Sequence, residues 1–203
     1  YDTAALDRMA ESLPDARLVA VLRHPVDRAY SHYWFNRSRG REPLSFREAV
    51  RQEPERRAHA RTPAERRRIS YLDRGRYLAQ LQQVAARYPR DQLLVVLFEA
   101  LRDRPNAAYR TVCGFLGVDD GFLPPRLGAP VNEHVAFRSP RLQRLTRRVP
   151  SPMAQRTLGR LNSRALPVPP MDPELRAELV AAFANDNRAL AEWLAADLSS
   201  WAR

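Results

Sequence analysis

The sequence predicts an α/β fold in which helices flank a parallel sheet. Two short apolar runs, at residues 17–22 and 92–98, are bounded by prolines and polar residues, as buried parallel strands usually are. Each run is followed by a segment whose apolar residues recur at helical spacing. With 203 residues, 44% of them hydrophobic, the chain can bury one sizeable core. We therefore predict a single domain over residues 1–203.

The first part of the chain is predicted to alternate helix, strand and helix. A helix over residues 4–13 stops at Pro14, because proline cannot continue a helix. The strand at 17–22 follows, and Pro25 begins a helix that reaches about Arg37. Residues 37–76 are rich in arginine and glutamate, so we expect a solvated helix pair or a partly mobile loop there. A long insertion of this kind can also cover a binding site.

The second part of the chain repeats the strand and helix pattern and ends in a long helix. Its predicted elements are a helix at 77–88, a strand at 92–98, a helix at 105–117, a loop at 119–130, two basic helical pieces within 140–166 and a helix at 172–198. Two strands are too few for a stable parallel sheet. We therefore expect partner strands outside these 203 residues.

The charge and composition of the chain indicate which classes of ligand it can bind. The net charge is +11, and all 34 basic residues are arginine, whose guanidinium fork suits phosphate and sulfate groups. Anionic ligands are therefore expected. The single Cys113 excludes a disulfide within the chain and a cysteine-rich metal site, and we predict no metal site. No run of about 18 apolar residues occurs, so we predict no transmembrane segment.

The end of the first predicted strand carries the strongest site signal. Arg23 leaves the strand, and Ser31 lies about two helical turns after His24. Because seven residues return to nearly the same helix face, Ser31 can lie on the side that Arg23 reaches. A guanidinium and a hydroxyl together suit a phosphate monoester. The alternative is a surface ion pair of Arg23 with Asp27, in which Ser31 has no role.

A family resemblance favours the phosphate site. The pattern Arg-x-Pro-x-x-Arg-Ala-x-Ser-x-Tyr resembles the 3'-phosphate-binding motif of sulfotransferases that use 3'-phosphoadenosine 5'-phosphosulfate (PAPS); it is filled here by Arg23, Pro25, Arg28, Ala29, Ser31 and Tyr33. The resemblance implies a P-loop-NTPase-like sulfotransferase fold. It also implies that Arg23 and Ser31 hold the 3'-phosphate, while Arg28 serves the structure. Residues 37–76 then correspond to a variable insertion on the acceptor side.

Later segments are similar to the bacterial sulfotransferases and their glycan-modifying relatives. The similar segments, in order, are 75–81, Phe98-Glu99-Ala100-Leu101, Phe115-Leu116-Gly117-Val118 and 187–201. In that family a basic loop before the last helices closes over the nucleotide, and residues 132–141 occupy its place. The resemblance therefore implies that Arg138 and Ser139 contact the 3'-phosphate and that Phe137 lies against adenine. The alternative is an ordinary basic surface loop.

The sulfate half of the family's site has no counterpart in this sequence. In the family, a Pro-Lys-x-Gly-Thr-[Ser/Thr] loop binds the phosphosulfate, whereas this chain contains neither a lysine nor a Gly-Thr pair. We therefore expect that the N-terminal strand-loop-helix is missing and that the catalytic base lies upstream, so the catalytic residue stays unknown. None of the four histidines occupies the family's base position, and we expect Glu99 to be structural.

The resemblance implies a reaction for the full-length protein. A sulfuryl group would pass from PAPS to a hydroxyl or amine of a glycan, glycolipid or small metabolite, and adenosine 3',5'-bisphosphate (PAP) would leave. The alternative is a non-catalytic remnant of the family that binds a nucleotide or polyanion. No recognised nucleic-acid motif occurs, so no specific nucleic-acid partner is predicted. We expect a cytoplasmic location, since the nucleotide is cytosolic.

Overall fold

A computed structural model describes residues 3–125, 127–128, 135–137, 151–161, 163–165 and 168–203. The chain forms two compact units. The first unit contains residues 1–27, 73–129 and 177–203, and the second contains residues 28–72 and 130–176. The assignment of residues 1–203 to a single domain stays a prediction.

In the first part of the chain, the helices and strands occur in the order that the sequence predicts. The helices and strands of the described residues are α1 (Thr3–Ser12), β1 (Leu18–Leu22), α2 (Pro25–Arg37), α3 (Phe46–Arg51), α4 (Glu53–Ala58), α5 (Pro63–Ile69), α6 (Tyr77–Ala85), β2 (Leu93–Leu97), α7 (Phe98–Asp103), α8 (Pro105–Leu116), β3 (Val135–Phe137), α9 (Pro152–Leu161), β4 (Ser163–Ala165) and α10 (Pro173–Leu194). Short 3-10 turns cover Asp73–Gly75, Arg90–Gln92 and Ser199–Ala202.

The two predicted strands pair in parallel and confirm the α/β class. Their register runs from Leu18 opposite Leu93 to Leu22 opposite Leu97. Both strands therefore end at the same level, and the residues that follow them meet at one edge of the sheet. Parallel sheets are usually covered on both faces, but Val19 is 40% exposed and Val21 is 52% exposed in β1. One face of β1 is thus open in this chain.

The core of the first unit lies between the sheet, α6, α10 and the C-terminal turn. Its buried members are Leu22, Tyr77, Leu81, Leu93, Leu190, Leu198 and Trp201. Gly75 lies just before α6, where an added Cβ would come within 3.0 Å of both Phe183 and Pro25. A larger residue there would separate α10 from the start of α2. Gly117 ends α8 with φ of 71°, as predicted for a helix C-terminus.

In the second unit, residues 37–72 form three short helices and bury two carboxylates. Helices α4 and α5 correspond to the predicted solvated helix pair, and most of their residues are exposed or half-buried. Two glutamates are buried: Glu42 accepts hydrogen bonds from Tyr71 Oη at 2.7 Å and Arg56 Nη2 at 2.9 Å, and Glu53 accepts from Leu72 N at 2.6 Å. Burial is possible because each carboxylate has donors. The proposed acceptor-side role of this segment stays a prediction.

The second unit also contains a small antiparallel pair that the sequence did not reveal. Strand β3 pairs with β4 from Val135 opposite Ala165 to Phe137 opposite Ser163. The predicted second basic helix corresponds to α9, but residues 163–165, expected to be helical, form a strand. Strands of three residues carry too little periodicity to be detected. The first basic piece, over residues 140–150, lies outside the described residues.

Tyr71 provides a pH prediction for this unit. Burial, together with its hydrogen bond to Glu42, raises the pKa of Tyr71 above the usual 10.0. The unfolded chain therefore loses this proton first as the pH rises, so the free energy of unfolding falls above about pH 10. In Tyr71→Phe we expect that fall to be shallower, by up to about 1.4 kcal/mol per pH unit. Urea unfolding at several pH values between about 9 and 11.5 measures the slope; equal slopes in both proteins would contradict the prediction.

Within the described ranges, no helix is both long enough and apolar enough to cross a membrane.

Candidate functional site

The carboxyl ends of β1 and β2 bring an arginine and an aromatic ring together. Arg23 directly follows β1, is half-buried, and its guanidinium carbon lies 5.1 Å from the centre of the Phe98 ring. Phe98 directly follows β2, so the matched strand ends place the two residues side by side. The distance is that of a cation–π contact. The ring thus lies beside the guanidinium, whose five N–H donors are the groups that would bind an anion.

The peptide bond between Arg23 and His24 is held at both of its polar atoms. Tyr77 Oη donates a hydrogen bond to the carbonyl oxygen of Arg23 at 2.8 Å. The amide of His24 donates to Glu99 Oε1 at 3.1 Å. The two side chains come from α6 and α7, so elements distant in sequence fix the turn that leaves β1.

His24 supports the start of α2. Its Nδ1 accepts a hydrogen bond from the amide of Val26 at 3.2 Å, and its ring centre lies 6.2 Å from that of Trp201. Because Nδ1 is an acceptor, this geometry assigns the proton to Nε2 and a neutral ring. His24 is buried. These contacts hold the turn that follows β1, so the role they indicate for His24 is structural.

The four predicted cofactor-binding residues fall on different parts of the structure. Arg23 lies at the end of β1 in the first unit, and Ser31 lies on α2, half-buried, in the second unit. The chain passes from one unit to the other between Asp27 and Arg28, inside α2. Both residues therefore occupy the predicted elements. Arg138 and Ser139 lie outside the described residues, and their assignment stays a prediction.

Two further motif residues hold the segment that follows α2. The Arg28 guanidinium donates to the carbonyl oxygen of Tyr71, and Tyr33 Oη donates to the carbonyl oxygen of Leu44 at 3.0 Å. All of these residues belong to the second unit. The motif thus combines a strand-end arginine with two α2 residues that hydrogen-bond to backbone carbonyls after the helix.

Two residues at this turn are not assigned to it by the sequence. The sequence patterns identify Tyr77 only as a helix residue and Glu99 only as a structural one. The signal that places them at the turn is the parallel register, since strands that end together at Leu22 and Leu97 place residues 23–24 beside residues 98–99. Sequence alone does not give that register, because the two strands are far apart in the chain.

The residues at the strand end suit a phosphate monoester. An arginine held at the carboxyl end of a parallel strand offers charge-assisted hydrogen bonds at the edge where α/β proteins bind ligands. The residue types that bind phosphosulfate in the resembling family, a lysine and a Gly-Thr pair, do not occur in the sequence. Among the described residues, no group of three or more His, Cys, Asp or Glu side chains could hold a metal ion.

The protein thus has an α/β fold, and Arg23 places a positive charge in the turn at the carboxyl edge of its parallel sheet. Comparison with known families identifies this class further: the model of the sulfotransferase family matches residues 2–121, more than half of the chain. The chain therefore belongs to the sulfotransferase family, which confirms the resemblance seen in the sequence.

Curated relatives are similar over different parts of the chain. Human bifunctional heparan sulfate N-deacetylase/N-sulfotransferase 2 is 31% identical over 209 residues, covering 100% of this chain and 22% of the relative. Bifunctional heparan sulfate N-deacetylase/N-sulfotransferase 1 of Xenopus laevis is 33% identical over 115 residues, covering 55% of this chain and 12% of the relative. The chain thus spans less than a quarter of the length of these relatives.

A solved structure is similar over nearly the whole chain. The sulfotransferase from Alicyclobacillus acidocaldarius has a TM-score of 0.70 and 30% identity, and the match covers 99% of this chain and 63% of that protein. The likeness confirms the predicted α/β sulfotransferase fold.

Proposed function

We propose that this chain carries the 3'-phosphate-binding half of a PAPS-dependent sulfotransferase. The observation that carries the proposal is the Arg23 guanidinium at the carboxyl end of β1, placed against the Phe98 ring and held through its own carbonyl group. The six-residue motif also assigns Ser31 to the 3'-phosphate as a neutral donor, and that assignment stays a prediction. Family membership and the six-residue motif support the assignment.

In the full-length protein we propose transfer of a sulfuryl group to a hydroxyl or amine. PAPS would supply that group, and PAP would be the product. The part played by the residues of this chain is to bind and orient the nucleotide through its 3'-phosphate, so that remote binding energy positions the reacting end. The proposal assigns removal of the acceptor's proton to a base outside residues 1–203, and it gives none of the chain's histidines that role.

A glycan is the acceptor that the comparisons favour most among glycans, glycolipids and small metabolites. The human and frog relatives are named for N-sulfotransfer in heparan sulfate. The excess of arginine, with a net charge of +11, also suits an anionic acceptor. The second candidate is a family remnant that binds a nucleotide or polyanion without transferring sulfate, and the net charge of +11 is the observation that favours it. Turnover of PAPS by the full-length protein separates the two.

The proposal is tested by comparing PAP with adenosine 5'-monophosphate, which lacks the 3'-phosphate. In the full-length protein we expect tighter binding of PAP, measured by isothermal titration calorimetry. Arg23→Ala should weaken PAP binding by about 2–3 kcal/mol, roughly 30- to 150-fold, because a charge-assisted phosphate contact is lost. Binding of the monophosphate should change little, so the preference for PAP should largely disappear.

Arg17 offers a matched control at the other end of the same strand. It precedes β1, and its guanidinium carbon lies 6.0 Å from the centre of the Phe115 ring, so it resembles Arg23 in charge and aromatic contact. Arg17→Ala should leave the PAP affinity unchanged. Equal PAP affinity in Arg23→Ala and the unmodified protein would overturn the site. Failure of the unmodified protein to bind PAP would overturn the proposed function itself.

A further inference from the structure

We infer that Tyr77 and Glu99 are positioning residues that orient Arg23 toward the 3'-phosphate of the nucleotide. The inference rests on the proposed function and adds to it the residues that act through Arg23. Neither residue belongs to the phosphate-binding motif, and neither carries a positive charge that could bind the phosphate. They act on the peptide group that links Arg23 to His24.

Both polar atoms of that one peptide group are bound by side chains. Its carbonyl oxygen accepts from Tyr77 Oη at 2.8 Å, and its N–H donates to Glu99 Oε1 at 3.1 Å. A peptide plane that is held at both ends cannot rotate about the Arg23 Cα–C bond without breaking two hydrogen bonds. The backbone on which the Arg23 side chain is carried is therefore restrained on its carboxyl side before any nucleotide binds.

The tyrosine is itself held rigidly. Its side chain belongs to the buried core of the first unit, and its ring centre lies 6.0 Å from that of Trp201. Packing thus locks the ring, and the hydroxyl projects from the core to the Arg23 carbonyl. Glu99 lies in the first turn of α7, directly after Phe98. The same short segment therefore supplies the ring beneath the guanidinium and the acceptor for the following amide.

Preorganisation of this kind raises affinity without a new contact to the ligand. A flexible arginine must be ordered when it binds a phosphate, and the entropy lost at that step weakens binding. Here the backbone of Arg23 is fixed by Tyr77 and Glu99, and its guanidinium is restricted by the Phe98 ring. Loss of the Tyr77 hydroxyl should therefore weaken 3'-phosphate binding although the guanidinium stays in the protein.

The chain contains a matched pair of tyrosines for the test. Tyr88 follows α6, is 1% exposed, and its Oη donates to the carbonyl oxygen of Leu13 at 3.2 Å. Tyr77 is 8% exposed and makes the same kind of bond to Arg23. Both Phe variants lose one buried hydroxyl that donates to a backbone carbonyl. Only the hydrogen bond of Tyr77 lies at the proposed phosphate site, because its acceptor is the Arg23 carbonyl oxygen.

We expect Tyr77→Phe to weaken PAP binding about fivefold, the scale of one net hydrogen bond. Tyr88→Phe should leave the PAP affinity unchanged, and both variants should lower the urea midpoint of unfolding to a similar extent. The experiment uses the full-length protein with PAP and adenosine 5'-monophosphate as ligands. Monophosphate binding should be the same in both variants, because only PAP carries the 3'-phosphate.

A double-mutant cycle with Arg23→Ala separates positioning from a merely structural role. If Tyr77 acts through Arg23, Tyr77→Phe should have no further effect on PAP affinity once Arg23 is alanine. A structural effect would be equal in the two backgrounds. Glu99→Gln, which keeps a carbonyl acceptor for the His24 amide, should retain the preference for PAP over the monophosphate, whereas Glu99→Ala should reduce it.

The outcomes distinguish this inference from the proposed function. Loss of PAP binding in Arg23→Ala, with equal PAP affinities for Tyr77→Phe and Tyr88→Phe, would overturn the positioning role and leave the phosphate site intact. Equal effects of Tyr77→Phe in both Arg23 backgrounds would overturn it as well. Absence of PAP binding by the unmodified protein would instead count against the proposed function.

Discussion

Trp201→Ala is expected to lower the free energy of unfolding by about 3–5 kcal/mol, the usual cost of truncating a fully buried tryptophan. Trp201 is 2% exposed, although it lies close to the end of the sequence. Its ring packs against His24 and Tyr77, with ring centres 6.2 and 6.0 Å apart. Removal would leave a large cavity directly behind the turn that follows β1. Equilibrium unfolding in urea measures the loss.

Trp201→Phe and Trp193→Ala are the controls for this result. Among the described residues, the buried Nε1 of Trp201 has no hydrogen-bond partner, so phenylalanine removes an unsatisfied donor while it keeps much of the apolar volume. We expect Trp201→Phe to cost less than half as much as Trp201→Ala. Trp193 is only half-buried on α10, and its truncation should also cost less. An unchanged midpoint in Trp201→Ala would show that the C-terminal turn does not contribute to the core.

Glu42→Ala is expected to destabilise the protein by about 3 kcal/mol, because the buried Tyr71 hydroxyl and the half-buried Arg56 guanidinium lose their acceptor. The Glu42 side chain is 1% exposed, and the Arg56 side chain that it pairs with is 23% exposed. The same carboxylate accepts from Tyr71 Oη and, through Oε1, from Leu44 N at 3.2 Å. Three segments of the second unit would lose their common acceptor.

Glu42→Gln and Glu55→Ala separate burial from charge. Glutamine has the same shape and one remaining acceptor, so Glu42→Gln should cost less than the alanine variant. Glu55 lies exposed on α4, and its replacement by alanine should change stability by less than about 0.5 kcal/mol. Thermal or urea unfolding provides the comparison. Equal losses for Glu42→Ala and Glu55→Ala would show that the buried network does not stabilise residues 37–76.

The sequence alone predicted most of the first unit correctly. Continuous apolar runs are a strong signal for buried strands, so the predicted bounds of β1 and β2 lie within about a residue or two of the observed ends. Pro25 and Gly117 mark the start of α2 and the end of α8 for stereochemical reasons that act locally. The predicted place of Arg23 and Ser31 follows from the same local signals.

Burial of charged side chains could not be predicted in this way. Glu42 and Glu53 look like ordinary surface residues in an arginine-rich segment, and their burial is tolerable because each finds donors in the folded chain, most of them distant in sequence. The partner of Glu42, Tyr71, lies 29 residues away. The sequence therefore indicated the solvated helix pair but gave no sign of these two buried carboxylates. The three-residue strands β3 and β4 escape prediction because so short a segment has no measurable periodicity.

Local sequence patterns were enough to predict the class of the protein: an α/β fold, an arginine at a strand end, and a motif whose family the comparisons confirm. These depend on local apolar patterns and fixed spacing. The way in which Arg23 is held depends instead on contacts between distant parts of the chain. His24 and Glu99 are 75 residues apart in sequence, and they meet because two parallel strands end at the same level, a register that no local turn specifies.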